Sequence, residues 1–341
     1  MILFSGLNQP NRLIIDNNIL YVKGGATPGG IVQIDLSSSL PSASVLFNSL
    51  PVGIDSIGIG NIIKEGNTFY ISYVNDNTGE STLASFNVST PTILNNIVSS
   101  LGYVSAIDVY NGELYFTNED LSGGGTSLKK IDISISNPPV FTVLTGLTNP
   151  QDMEFKGSTL YIGDRDANTI YSVDVLLVSP TLTSFVSGVN VRGVYVYNDF
   201  LYFSDGGTIK KTEFSNSTNI TTEAMDTGSS TDFLRDVVIS GNKLYMPQEN
   251  FGKIVSKEDL TLSVTNETDQ LIDLSFHNND NNIFITGLTD LNSEIKIYSL
   301  TGSQLVVKEV DSDDSSIDIS YLSKGIYLLN MDNKKTFKFV K

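Results

Sequence analysis

Short runs of alternating apolar and polar residues fill the first three quarters of the chain, and none of them takes the 3.6-residue spacing and capping signals of an amphipathic helix. One such run recurs six times, as NNILYV, GNTFYI, NGELYF, GSTLYI, NDFLYF and GNKLYM. Its tyrosines are Tyr21, Tyr70, Tyr115, Tyr161, Tyr202 and Tyr245, so the repeat length is between 41 and 49 residues. In a strand, neighbouring side chains point to opposite faces, so the paired Leu-Tyr or Phe-Tyr is expected to pack both faces of one strand into a core.

The stretch PQDMEFKGSTLYIGDRDANTIYSVDVLLVSPTLTSFVSGV displays the whole unit. Four β-rich runs, DMEF, TLYIG, TIYSVDV and LTSFVSG, are separated by polar or glycine-containing turns. A four-stranded unit repeating every 40 to 50 residues or so is the period of a propeller blade. Six sets of the first three strands are visible, but only five internal fourth strands. The sixth is expected at the N-terminus, where MILFSGL matches FTVLTGL of residues 141–147 in length and ending. The predicted fold is therefore all-β, a six-bladed β-propeller over residues 1–262 closed by an N-terminal clasp strand, because an unclosed ring would leave raw blade edges.

The period, the GLxxP phrase and LYIGDRDANTIYSVD together resemble six-bladed propellers of the NHL and YWTD kind. That resemblance implies architecture and leaves activity open.

Beyond about Val264 the period stops. Strong alternation in IKIYSL and IDISYL predicts a second domain, a small antiparallel β-sandwich over residues 265–341. This segment resembles the C-terminal sorting domain of type IX secretion in Gram-negative bacteria. The resemblance is carried by Ile297, Tyr298, Gly302, Leu322, Gly325, Ile326, Tyr327 and the final Lys338 to Lys341; SFHNNDNN departs from the family's usual opening turn. It implies the type IX machinery as partner, export across the outer membrane, and a mature protein that is secreted or attached to the outer surface. The competing reading is an ordinary accessory sandwich. Cargo of this kind carries a cleavable signal peptide, but Gly6, Asn8 and Pro10 interrupt the first apolar residues. The expectation is that an N-terminal piece precedes Met1.

A formal charge of −17 and a pI near 4.3 argue against nucleic acid as partner, since phosphate binding needs clustered Lys and Arg. No apolar run reaches the roughly 18 residues of a membrane-spanning helix. There is no cysteine or tryptophan, and the one histidine, His277, lies in the second domain. The propeller thus has no His general base, no Ser-His-Asp triad and no Cys or His metal set.

Aligning the first strand of each blade on the repeat tyrosine gives the pairs expected at the channel mouth: Asn11-Arg12, Gly60-Asn61, Ser105-Ala106, Gln151-Asp152, Arg192-Gly193 and Arg235-Asp236. Three of the chain's four arginines, Arg12, Arg192 and Arg235, fall in this column, and Arg165 is the fourth. Blades one, five and six adjoin in a closed ring, so the three guanidinium groups could converge on a carboxylate, sulfate or phosphate. An acidic or sulfated glycan is one such ligand. The alternative is that the arginines pair with Asp152, Asp236 and backbone carbonyls and serve only to hold the ring together. The Asp-box turns of sialidases and the metal-binding phrases of sugar lactonases are missing. No cofactor is expected, although Asp164, Asp166 and Asn168 in DRDAN have the alternation of a calcium loop. Thr169 stands where such a loop needs glycine, and an Asx-stabilised turn explains the phrase as well.

Three functions follow. The first is an extracellular binding module for a glycan, peptide or protein. The second is a secreted carbohydrate-active hydrolase or lyase, with Asp152 and Asp236 as an acid–base pair. The third is an adhesion or structural protein. The lack of a recognisable nucleophile, His base or metal set favours binding over catalysis.

Overall fold

Every copy of the repeated phrase forms the second strand of a four-stranded antiparallel sheet, and its leucine or phenylalanine is fully buried. Leu20, Phe69, Leu114, Leu160, Leu201 and Leu244 are all at 0 % exposure, and five of the six repeat tyrosines are buried, Tyr70 being half-buried. The computed structural model describes residues 2–24, 30–38, 41–51, 59–225, 234–258, 282–284, 293–299, 303–310, 316–331 and 335–341. The chain divides into two units, Met1–Ser263 and Val264–Lys341. Among the described residues all regular structure is β, and no helix is long and apolar enough to cross a membrane.

Strand β1 (Ile2–Ser5) is followed by blade one, made of β2 (Arg12–Asp16), β3 (Ile19–Lys23), β4 (Ile31–Asp35) and β5 (Ala43–Phe47). Blade two is β6 (Ile59–Glu65), β7 (Thr68–Val74), β8 (Ser81–Asn87) and β9 (Asn95–Leu101). Blade three is β10 (Ile107–Tyr110), β11 (Glu113–Glu119), β12 (Thr126–Asp132) and β13 (Phe141–Leu147). Blade four is β14 (Pro150–Lys156), β15 (Thr159–Asp164), β16 (Thr169–Asp174) and β17 (Thr183–Ser187). Blade five is β18 (Val194–Tyr197), β19 (Phe200–Asp205), β20 (Thr208–Glu213) and β21 (Asn216–Met225). Blade six has β22 (Val238–Ser240), β23 (Lys243–Gln248) and β24 (Lys253–Glu258), and its fourth strand is β1.

The clasp predicted from MILFSGL is therefore present. Strand β1 pairs antiparallel with β24, Ile2 opposite Val255 and Ser5 opposite Lys253, and the Leu7 amide donates to the Gly252 carbonyl at 3.0 Å. Gly252 sits at φ +59°, and a Cβ there would lie 2.2 Å from the Leu7 oxygen, so only glycine lets the clasp close this tightly.

Aromatic side chains fill the seam between blades one and two. Phe47 stacks on Phe86 at 4.5 Å, and Phe86 on Phe69 at 5.1 Å. Such offset pairs add to the burial of their own area.

The second unit contains β25 (Asn282–Phe284), β26 (Ser293–Ser299), β27 (Gln304–Val310), β28 (Ser316–Asp318), β29 (Ile326–Met331) and β30 (Lys335–Val340). A two-stranded sheet, β25-β28, and a four-stranded sheet, β27-β26-β29-β30, share one core of Ile283, Ile295, Ile297, Ile317, Leu329 and Phe339. Alternation has given the sandwich expected from the sequence.

Candidate functional site

The innermost strands β2, β6, β10, β14, β18 and β22 surround the channel, and each blade is joined to the next by a side-chain hydrogen bond. Lys23 Nζ donates to the Gly60 carbonyl at 2.9 Å, and Asn61 Nδ2 to the Ser105 carbonyl at 2.8 Å. Asp108 Oδ2 accepts from the Phe155 amide at 2.8 Å, and Asp152 Oδ2 from the Val194 amide at 2.8 Å. The Tyr195 hydroxyl accepts from the Ile239 amide, and Asp236 Oδ2 from the Leu13 amide at 2.7 Å. These six contacts run from blade one through blade six and back to blade one. They satisfy inner-strand backbone groups that the blade ladders leave open.

Arg12 crosses this ring. It leaves blade one and forms ion pairs with Asp152 of blade four and Asp236 of blade six, the latter at 3.5 Å. In a ring of six, blades one and four stand opposite, so the guanidinium bridges the channel. Burial alone would lower its pKa, but Asp152, Asp236, Glu154 and Asp108 outweigh that and raise it. Burial raises the Asp152 and Asp236 carboxyls, with Arg12 pulling both back. The strongest charged neighbours of Arg12 are all acidic. Burial pushes Asp108 up to about 6, and Glu154 also lies well above the ordinary range through burial and its neighbour Asp108.

Of the two readings of the arginines, Arg12 follows the pairing with Asp152 and Asp236 and not the convergence on a ligand. Arg12 is occupied by Asp152 and Asp236 inside the channel. Arg165, which falls outside the strand column and pairs with Asp166, acts electrostatically on Arg192, as does Arg235. The Arg192 guanidinium is pushed down to about 10 by burial and by Arg235 and Arg165, with Glu249 opposing. Arg235 pairs with Glu249, and Asn11 Nδ2 donates to Glu249 Oε1 at 3.1 Å. Asn11 Oδ1 is buried and has no protein partner among the described residues. Lys23 is in the same group, since its ammonium feels Glu249, Arg235 and Arg12. Tyr103 of the segment entering blade three completes it, through its electrostatic contact with Arg235.

The other predicted mouth residues build the ring. Asn61 and Ser105 join blades two, three and four, Ser105 Oγ donating to the Pro150 carbonyl at 2.6 Å. Gln151 Nε2 turns to Asn149 Oδ1 at 2.6 Å. Asp152 and Asp236 are 1 % exposed, each held by Arg12 and by a backbone amide of the next blade. Gly193 has a packing role, because a Cβ would lie 2.5 Å from the Arg235 carbonyl oxygen.

The DRDAN turn is also organised from within. Asp164 is buried, and its carboxylate accepts from the Thr148 amide at 2.7 Å, the Thr148 hydroxyl and the Asn149 amide at 2.8 Å. Asp166 pairs with Arg165, and Asn168 takes φ +52°. Asx-type bonding accounts for this turn. Among the described residues no three His, Cys, Asp or Glu side chains converge as a metal set.

Lys23 and Glu249 were not among the predicted site residues, yet a signal for both was present. Two residues after the repeat tyrosine, three blades carry a hydroxyl that accepts from the inner strand. The pairs are Asn61 N to Ser72 Oγ at 2.9 Å, Ala106 N to Thr117 Oγ1 at 3.0 Å and Gly193 N to Ser204 Oγ at 2.8 Å. Gly163 and Pro247 fill that position in two more blades, and Lys23 is its single charge. Four residues after the tyrosine the column reads Gly25, Val74, Glu119, Arg165, Gly206 and Glu249, so Arg165 and Glu249 hold the same repeat position in two blades.

Two surface clefts, of about 470 and 570 Å3, contain none of the arginines. The first lies beside Asn118, Asp120 and Lys129, and the second beside Met225, Leu234 and Val255.

In the second unit the predicted sorting residues gather around the chain end. Lys341 Nζ donates to the carbonyls of Ile319, Ser320 (2.8 Å) and Leu322 (2.6 Å). Backbone bonds join Gly325 and Lys341 in both directions, at 3.2 and 2.9 Å. Leu322 and Tyr327 are buried, the Tyr327 hydroxyl donating to the Ser323 carbonyl at 2.8 Å, while Ile326 is exposed. Lys338 pairs with Leu328 in the sheet. Gly302 and His277 lie outside the described residues.

Residues 277–341 match the family model described as a secretion system C-terminal sorting domain. No curated protein sequence matches the chain. Among solved structures, the first unit's architecture is similar to a chain of a nidogen/laminin complex, at 12 % identity and a TM-score of 0.55, covering 72 % of this chain and 90 % of that one. It is likewise similar to a luciferin-regenerating enzyme, at 12 % identity and a TM-score of 0.56, covering 74 % and 92 %. A third likeness, at 12 % identity and a TM-score of 0.50, is to PorZ, a bacterial surface component of the type IX secretion system of Porphyromonas gingivalis; it covers 99 % of this chain and 60 % of that one. At these identities the likenesses speak for the fold alone. The chain is an all-β protein in which a propeller of six four-stranded blades precedes a secretion system C-terminal sorting domain, the mark of type IX export to the surface or the medium.

Proposed function

We propose that the propeller is an extracellular binding module whose channel mouth takes an anionic ligand, with an acidic or sulfated glycan as the class that fits. The observation that carries this reading is that Arg192 lies within electrostatic reach of Arg235 and Arg165, and Lys23 within reach of Arg235, in a chain of net charge −17. Like charges brought together in a partly desolvated mouth repel one another, and an anion relieves that repulsion. Planar guanidinium forks give a carboxylate or sulfate two parallel bonds each. The buried Asn11 Oδ1 supplies an acceptor for a ligand hydroxyl.

Binding is favoured over hydrolysis by the state of the two candidate carboxylates. Asp152 and Asp236 are bonded to Arg12 and to backbone amides, which ties both to the ring. The test is calorimetric titration of the full chain at low salt with dextran sulfate, polygalacturonate and neutral dextran, repeated with Arg192→Ala. The expected result is binding of the acidic polymers only, weakened about tenfold or more by the substitution with thermal unfolding unchanged. Equal binding by the variant would sink the reading. Release of shortened product would instead promote the hydrolase.

A further inference from the structure

The cleft of about 470 Å3 lies between the end of β9 and blade three, with Asn118 among its lining residues. Strand register explains its wall. Ser127 stands opposite Thr145, and Lys129 opposite Thr142, across β12 and β13. All four line the cleft, while Leu128 and Leu144 between them are buried in the blade core. The volume falls within the range of small-molecule sites, roughly 300–1,000 Å3.

Asn118 is only 8 % exposed, and its side-chain oxygen accepts from the Gly102 amide at 3.1 Å. That partner is a donor, so the other end of the side chain is the NH2 group. Among the described residues Nδ2 has no hydrogen-bond partner, yet it is not sealed from the cleft. Gly102 keeps it uncovered, because a Cβ there would lie 3.0 Å from Nδ2 and 1.8 Å from the Glu119 carbonyl oxygen. Gly124 and Gly125 leave a second stretch of wall without side chains. An amide NH2 so deep offers a directional donor to a carbonyl oxygen that enters the cleft.

The charges around it do not favour an anion. Lys129 acts on Asp120, which is already held by the Ser122 amide at 2.9 Å and hydroxyl at 2.6 Å, and Glu80 adds a further carboxylate. The groups left for a ligand are mostly neutral. The hydroxyls of Ser100, Thr142 and Thr145 have no hydrogen-bond partner among the described residues. Ser100 takes φ +56°, a setting that favours glycine, and yet a serine stands there. Leu101 and the exposed Leu121 supply apolar surface.

We propose that this cleft binds an acetamido sugar, the N-acetylhexosamine residue of a neutral glycan. The acetyl carbonyl accepts from Asn118 Nδ2, the methyl group rests on Leu101 and Leu121, and Ser100, Thr142, Thr145 and Lys129 meet the ring hydroxyls. A sugar with a hydroxyl in place of the acetamido group loses both the carbonyl and the methyl, and a site built to bond one group rejects the analogue that lacks it. This site is separate from the anion site of the channel mouth and stands without it.

The experiment is calorimetric titration of the full chain with tri-N-acetylchitotriose and with N-acetylgalactosamine, against cellotriose, which carries hydroxyls where the first sugar has acetamido groups. At least one acetamido sugar is expected to bind about tenfold or more tighter than cellotriose. Its affinity should stay level between about 0.05 and 0.5 M salt, because the ligand is uncharged. Thr142→Tyr, at an exposed strand position, fills the cleft and should abolish binding. Asn118→Asp keeps the acceptor for Gly102 and removes the donor, and should weaken binding about tenfold; if thermal unfolding shows that it folds poorly, Thr142→Tyr decides alone. Failure of both acetamido sugars to bind, cellotriose binding as tightly, or binding unmoved by Thr142→Tyr would overturn the inference. The acidic polymers that test the mouth carry no acetamido group, so either site can fail without the other.

Discussion

Arg12 of the first blade and Asp152 of the fourth meet across the centre of the propeller, and Asp236 of the sixth shares the same guanidinium. The contact is nearly dry, the side chains being 11 % exposed for Arg12 and at most 2 % for the two aspartates. Removing one partner of such a group leaves the others as uncompensated buried charges, which typically costs about 3–5 kcal/mol. Arg12→Ala is expected to lower stability by that amount in urea unfolding, and Arg12→Ala with Asp152→Asn and Asp236→Asn to recover part of it. A loss below about 1 kcal/mol in the single variant would show that the bridge does not hold the ring.

Acidification should stabilise the propeller before it destabilises it. Asp108 binds its proton more tightly in the folded chain than in the unfolded one, because burial disfavours its charge. Its stabilising contribution is complete below the ordinary carboxylate range and disappears as pH rises through about 6. Asp152, Asp236 and Glu154 are shifted the same way. The exposed Asp35, Asp120 and Asp132 are lowered by serine hydrogen bonds and give the opposite slope only at more acid pH. The melting temperature should therefore rise between pH 7 and 5, and Asp108→Asn should flatten part of that rise. A melting temperature that falls steadily over this interval would refute the assignment.

Deleting the first seven residues removes the whole of β1 and the buried Leu7. Leu7 alone is worth about 1.5–3 kcal/mol when fully buried, and β24 would also lose its ladder partner. The truncated chain is expected to unfold at lower urea and to expose β24 as a free edge, seen as concentration-dependent association. Gly252→Ala should move in the same direction by crowding the Leu7 carbonyl.

The C-terminal lysine is a clamp on three carbonyls. Hydrogen bonds from a charged donor contribute about 1.5–3 kcal/mol each at most when buried, and less where water competes. Lys341→Met should destabilise the second unit and leave the propeller's own transition in place, which differential scanning calorimetry would resolve as a shift in one of two transitions. A shift in the propeller transition would contradict this.

The ring and its closure were legible because they rest on repetition. Six Leu-Tyr or Phe-Tyr pairs announce six second strands, and the missing fourth strand could be found by matching MILFSGL to FTVLTGL. The mouth was legible only to the level of the backbone. Arg12 shares a rung with Asn61 and Asp152, as expected, but register says nothing of where a long side chain leads, and here four carboxyls draw it into the channel. Arg165 and Glu249 escape the first-strand column because they follow the second strands of their blades. Lys23 was passed over because its neighbours in the alignment are small ring-building residues, and only the hydrogen bonds of Ser72, Thr117 and Ser204 reveal it as the exception.

Because β1 pairs with β24, the circle is sealed using residues 2–258 alone, ahead of any residue of the sorting unit. The export tag is thus topologically dispensable to the cargo. A cut after Glu258 would sever a tail and not a blade, leaving the closed circle as it was.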